Sequence, residues 1–166
     1  DNSPLPIYAT YNPTDSLLTI FTPAKNIEIE DASYMFFEFH ALRSIDFGNF
    51  RVNERTTNMT CMFQSCISLP ALDVSNWNTG KVQVLTAAFQ DCANMTELDL
   101  NNWDVSNVKE AIQIFNRCNK LETLKISSWN PVSLADGTTM FQSCTSLKEL
   151  DLSGWNTASL SKTAGM

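Results

Sequence analysis

Several features that would announce a function are missing from these 166 residues. No run of about 18 apolar residues occurs, so no stretch reads as a membrane-spanning helix. The single histidine, His40, has no cysteine beside it and no serine arrangement to serve, so it reads as a boundary residue rather than a catalyst. There is no Cys-x-x-Cys pair and no Cys/His cluster, which argues against zinc; no metal site and no cofactor are expected. Neither a phosphate loop nor a nucleophile elbow is present, and no catalytic constellation replaces them. Basic residues are scarce: 11 Lys and Arg face 18 Asp and Glu, for a net charge of −7. That balance disfavours nucleic acid and anionic membrane surfaces as partners and favours basic or cation-bridged ones. The chain opens at Asp1 without Met or a signal sequence, as a mature or trimmed product would.

What the chain has is repetition. CISLPALDVSNW runs from Cys66 to Trp77 and returns as CANMTELDLNNW (Cys92–Trp103), CNKLETLKISSW (Cys118–Trp129) and CTSLKELDLSGW (Cys144–Trp155). A degenerate copy, FHALRSIDFGNF, precedes them at Phe39–Phe50. Apolar columns keep register throughout. Phe63, Phe89, Phe115 and Phe141 form one, Trp77, Trp103, Trp129 and Trp155 another, and Cys66, Cys92, Cys118 and Cys144 a third. Such columns stack on their own copies while the positions between them face water, which predicts a solenoid core. An odd set of five cysteines, four locked to the period, predicts buried free thiols rather than disulfides.

Within a repeat, Leu69-x-x-Leu72-x-Val74-x-x-Trp77 has the two-residue period of a strand and most of the leucine-rich-repeat signature. After the tryptophan, Val108, Ile112 and Phe115 are spaced as one helix face, and Ser106 reads as its N-cap. The fold class expected is therefore an α/β solenoid: a leucine-rich-repeat-like, right-handed stack of strand–helix rungs. Helices need roughly 8–10 Å between axes where strands need about 4.8 Å, so the parallel sheet should line a concave face. That wider helix side would hold the cysteines too far apart to pair. Two domains follow. Residues 1–33 form an N-terminal β-hairpin cap, with strands at Pro6–Tyr11 and Ser16–Thr22 and an extended piece at Asn26–Glu30. Residues 34–166 form about five repeats of 26 residues. The array reads as truncated at the C-terminus, where Leu150, Leu152 and Trp155 offer an open rung to end-to-end self-association.

The pattern Met62-Phe63-x-x-Cys66-x-x-Leu69-x-x-Leu72-Asp73-x-Ser75-x-Trp77 and its copies, including Met140-Phe141-x-x-Cys144, resembles the 26-residue repeat of bacterial surface proteins called BspA-like, a divergent leucine-rich-repeat family. The resemblance covers Met35–Met166. It implies a secreted or cell-surface protein, not inserted in the membrane, that recognises or adheres to host or neighbouring-cell proteins.

One outward column of the sheet is acidic: Asp46, Asp73, Asp99 and Asp151, interrupted by Lys125 and flanked by Glu97 and Glu149. It reads either as a binding stripe for basic side chains or, as the weaker branch, Ca²⁺, or as a solvated strand edge whose aspartates bond turn backbone. The tryptophan column occupies the place of the inward Asn of a leucine-rich repeat, so it reads as packing rather than a sugar platform. Two functions stand: an interaction module that binds a protein through its concave face, or a spacer that displays another domain.

Overall fold

The structure, a computed structural model, describes residues 8–21 and 29–166. Its frame is a column of parallel bridges linking Asp31, Asn58, Val84, Glu110, Asp136 and Lys162, 27 residues apart at the first step and 26 at each later one. Each step is one circuit of chain, so every rung lies directly on its copy.

One side of a rung carries a short strand. β3 (Ser44–Asp46), β4 (Glu97–Asp99) and β5 (Thr123–Lys125) each turn one apolar residue inward between two exposed ones. β4 and β5 pair in parallel, Leu98 against Leu124. This ladder breaks at the second rung, and Pro70 is the reason. The amides of Arg43, Thr96 and Glu122 each donate to the layer before them, to Ser16, Pro70 and Thr96, at 2.9–3.0 Å. Pro70 holds the equivalent place and has no N–H to give.

The helix expected after each tryptophan is absent among the described residues, and the α/β strand–helix rung is corrected accordingly. The segment is instead a run of overlapping turns. In-rung bonds close over three residues, as from Ala88 to Leu85 (3.1 Å) and from Cys92 to Phe89 (3.2 Å). The alternate amides leave the rung: Leu85, Ala87, Phe89 and Asp91 donate to Glu110, Ile112, Ile114 and Asn116, all at 2.8–2.9 Å. Two residues per rung take left-handed backbone to do this. One column is Tyr34, Cys61, Ala87, Gln113 and Thr139, the other Glu38, Ser65, Asp91, Arg117 and Ser143. A helix consumes its amides along its own axis; these turns spend half of them on the next rung. Ser106 is not an N-cap, because its amide donates to the Asp104 side chain (2.9 Å). Inward positions accordingly fall at Val108, Ala111, Ile114 and Phe115, while Ile112 is only half-buried. With both sides of a rung hydrogen-bonded to the next, helix bulk no longer supplies a reason for curvature.

The core follows the columns. Phe36, Phe63, Phe89, Phe115 and Phe141 stack with neighbouring ring centroids 5.0–5.9 Å apart and planes within 11°. Trp77 stacks on Trp103 at 6.2 Å and Trp129 on Trp155 at 6.0 Å. All five cysteines are free, and Cys66, Cys92 and Cys118 are fully buried. The splayed helical side offered above as the reason for unpaired thiols does not exist.

At the N-terminal end, β1 (Tyr8–Asn12) and β2 (Leu17–Phe21) form an antiparallel hairpin, and β2 pairs in parallel with β3. Asp15 closes the turn by accepting the Leu17 amide (3.1 Å), and Ser16 is left-handed. Leu18 and Ile20 are buried against the first rung. The extended piece expected at Asn26–Glu30 lies outside the described residues except for Ile29 and Glu30. The fold is a stack of 26-residue repeats, with turns where helices were expected.

Candidate functional site

The strand face positions the acidic column. Glu97 pairs with Thr123 and Asp99 with Lys125, while Thr123 bridges to Glu149, so Glu97 and Glu149 lie in one outward column and Asp99 and Lys125 in the next. Each aspartate also has a local task. Asp46 accepts the Gly48 amide at 2.9 Å, Asp99 the Asn101 amide at 3.1 Å, and Asp151 the Ser153 amide at 2.9 Å. Asp73 accepts both the amide (3.1 Å) and the hydroxyl (2.7 Å) of Ser75. These are Asx turns, formed without help from distant residues.

The bonds leave an electrostatic trace. Contacts from Ser75 and Ser153 hold the Asp73 and Asp151 carboxyls below the usual carboxylate range. For Asp99 the Asn101 amide does most of this and Lys125 adds to it. In Asp73 the amide and hydroxyl of Ser75 share one oxygen, and both the Asp73 and Asp151 side chains are exposed. Lys125 sets its ammonium 3.0 Å from Asp99 Oδ2, and Lys148 pairs with Glu122. The face therefore carries an excess of ionised carboxylates with accessible oxygens.

Two open depressions adjoin along it. One, of about 510 Å³, lies over Ala71, Leu72, Asp73, Glu97, Asp99 and Lys125. The other, of about 420 Å³, lies over Thr123, Lys125, Lys148, Glu149 and Asp151. Asp46 sits farther toward the N-terminus, across the gap that Pro70 makes. Among the described residues no group of three or more His, Cys, Asp or Glu side chains is placed to hold a metal ion. No helix among them is long and apolar enough to cross a membrane.

The remaining columns lie inside. Trp103 and Trp129 donate their indole N–H to the carbonyls of Val74 (3.2 Å) and Leu100 (2.9 Å) in the rung before. Trp77 and Trp155 have no such partner among the described residues. The thiols do likewise: Cys66, Cys92, Cys118 and Cys144 lie 3.1–3.2 Å from the carbonyls of Phe36, Phe63, Phe89 and Phe115. No residue pattern within one repeat signals these bonds, since each reaches back 29 or 30 positions. His40 is exposed.

A family model described as Mycoplasma protein of unknown function, DUF285, matches residues 57–166. The chain belongs to that family. The match begins at the second rung, so it takes in Asp73, Glu97, Asp99, Lys125, Glu149 and Asp151 and leaves the hairpin and Asp46 outside. No curated protein matches the chain. Among solved structures it is similar to a leucine-rich repeat protein from Eubacterium ventriosum ATCC 27560, at 15% identity and TM-score 0.47, covering 92% of this chain and 46% of that one. It is also similar to the T. pallidum leucine-rich repeat protein, at 14% identity and TM-score 0.33, covering 86% and 88%. The chain thus spans under half the length of the first of these.

Proposed function

We propose that this DUF285 chain is a non-catalytic recognition module, displayed on a cell surface or secreted, that binds a partner protein through its outward strand face. The observation that carries this reading is the pair of adjoining depressions lined by exposed carboxylates. Sheet faces of stacked repeats offer long, regular surfaces, and a face with this charge suits a partner bearing lysines or arginines. The residue pattern shared with BspA-like repeats points the same way, to host or neighbouring-cell proteins. In this reading the hairpin of β1 and β2 covers the first rung of the array in 34–166. Placing the charge on one face would steer encounter as well as hold the complex.

The test is binding by the chain alone. Labelled protein should bind cultured epithelial cells saturably and be displaced by unlabelled protein. Changing Asp73, Asp99 and Asp151 together to Asn keeps an acceptor oxygen in each turn, so the fold should survive. Affinity should fall about tenfold, as three exposed charges at a few tenths to 1 kcal/mol each would give, and should lose most of its salt dependence. Undiminished binding by the triple variant would remove the strand face from the reading. Absence of any saturable binding would favour the spacer.

A further inference from the structure

The hairpin extends the proposed recognition face past the first rung, and the inference here rests on that face. β1 sets Tyr8 opposite Phe21 and Thr10 opposite Thr19, and β2 sets Thr19 opposite Asp46 of β3. Leu18 and Ile20 are the buried residues of β2, so the alternation of a strand puts Thr19 and Phe21 on the other side, with Asp46. Tyr8 and Phe21 stack there with centroids 6.1 Å apart and planes at 29°. They are 53% and 61% exposed, far more than a pair serving only to cover a core.

Gly48 packs closely against β2 beside them. It sits so close to β2 that a Cβ would come within 2.7 Å of the Ile20 carbonyl, and its left-handed backbone suits glycine. Its amide occupies Oδ1 of Asp46, leaving the other carboxylate oxygen without a protein partner among the described residues. The result is an exposed ring pair and a carboxylate on one face, with no side chain at the glycine. No charged residue lies in β1 or β2 to compete for that carboxylate.

We propose that Tyr8, Phe21 and Asp46 form a receiving site for an arginine side chain of the partner. The guanidinium would stack on the rings and pair with Asp46. A planar, weakly hydrated cation fits both halves of this arrangement; a lysine ammonium fits only the carboxylate. Exposed aromatics with an ion-pair partner are also the residue types that dominate binding energy at interfaces.

The probe is the capped pentapeptide Gly-Arg-Gly-Arg-Gly, titrated at millimolar concentration into isotope-labelled chain. The ring signals of Tyr8 and Phe21 and the Asp46 amide should shift together. Phe21→Ser should weaken the apparent affinity about three- to fivefold, and Asp46→Asn by a similar factor. The same peptide with citrulline for arginine should leave all three signals in place. Shifts confined to Asp73–Asp151 and unchanged by Phe21→Ser would overturn the arginine site and leave the recognition face standing. Absence of shifts anywhere on the strand face would overturn both.

Discussion

The carbonyls of Phe63, Phe89 and Phe115 each meet two cysteines of the column. Phe63 O accepts the Cys66 amide at 3.1 Å from within its rung and the Cys92 thiol at 3.2 Å from the next. An S–H bond is weak, but it uses a lone pair that burial would otherwise leave empty. Burial pushes the Cys66 thiol up to about 12 and Cys144, nearer the surface, to about 11; Cys92 and Cys118 are raised as well. A thiol held neutral in the fold adds stability in full below its ordinary value of 9.0. That stability drains as pH climbs from there toward the folded value, at about 1.4 kcal/mol per pH unit for a well-buried group. The urea midpoint under reducing conditions should therefore drop between pH 8 and pH 10, and drop less in Cys66→Ala. Equal slopes for the two proteins would show that the column does not titrate with unfolding.

The turn segments decide how a rung meets its neighbour. Gln113 is left-handed (φ 58°) in the middle of what the spacing Val108, Ile112, Phe115 presents as a helix. The two conformations predict opposite signs for one substitution. In a helix Gln113→Gly would cost about 1 kcal/mol. In left-handed backbone it relieves a Cβ penalty of roughly 1–2 kcal/mol against the entropy glycine loses, for a net gain of about 0.5–1 kcal/mol. A rise in the melting temperature supports the turns, and a fall supports the helix. The misleading signal is traceable. Ala111 and Ile114, three residues apart, are the inward positions, but alanine is a faint apolar marker beside the half-buried Ile112. The hairpin was legible because Asn12-Pro13-Thr14-Asp15 fixes its turn locally; Asn12 accepts the Thr14 amide and Asp15 the Leu17 amide.

The whole molecule is held along its axis, rung to rung. Backbone bonds on both sides, stacked rings and pairs such as Arg117 with Asp91 (2.9 Å) and Lys162 with Asp136 (3.3 Å) all join residues one repeat apart. Stability of this kind is a sum over neighbours, so a rung packed less completely opens first. Leu150, Leu152 and Trp155 are half-buried, where Leu98, Leu100 and Trp103 are buried. Glu149 makes one bridge to Thr123 and begins no longer strand. Amides at 149–153 should exchange with solvent much faster than those at 97–101. Equal protection in the monomer would show that the last rung is as cooperative as the middle ones.

The sequence by itself determined the period, the columns and the order in which like side chains stack, because a 26-residue repeat forces each copy onto the last. It also placed the aspartates outward, since the strand alternation is local. The conformation between the columns was decided by tertiary structure alone. Alternate amides of the turns find their acceptors 25 residues away, as Phe63 does at Ala88, and no window within one repeat contains both partners. The same holds for the rest of the site. That Asp46 shares a face with Tyr8 and Phe21 depends on β2 lying against β3, a pairing 27 residues apart that turn chemistry and hydrophobic period do not specify.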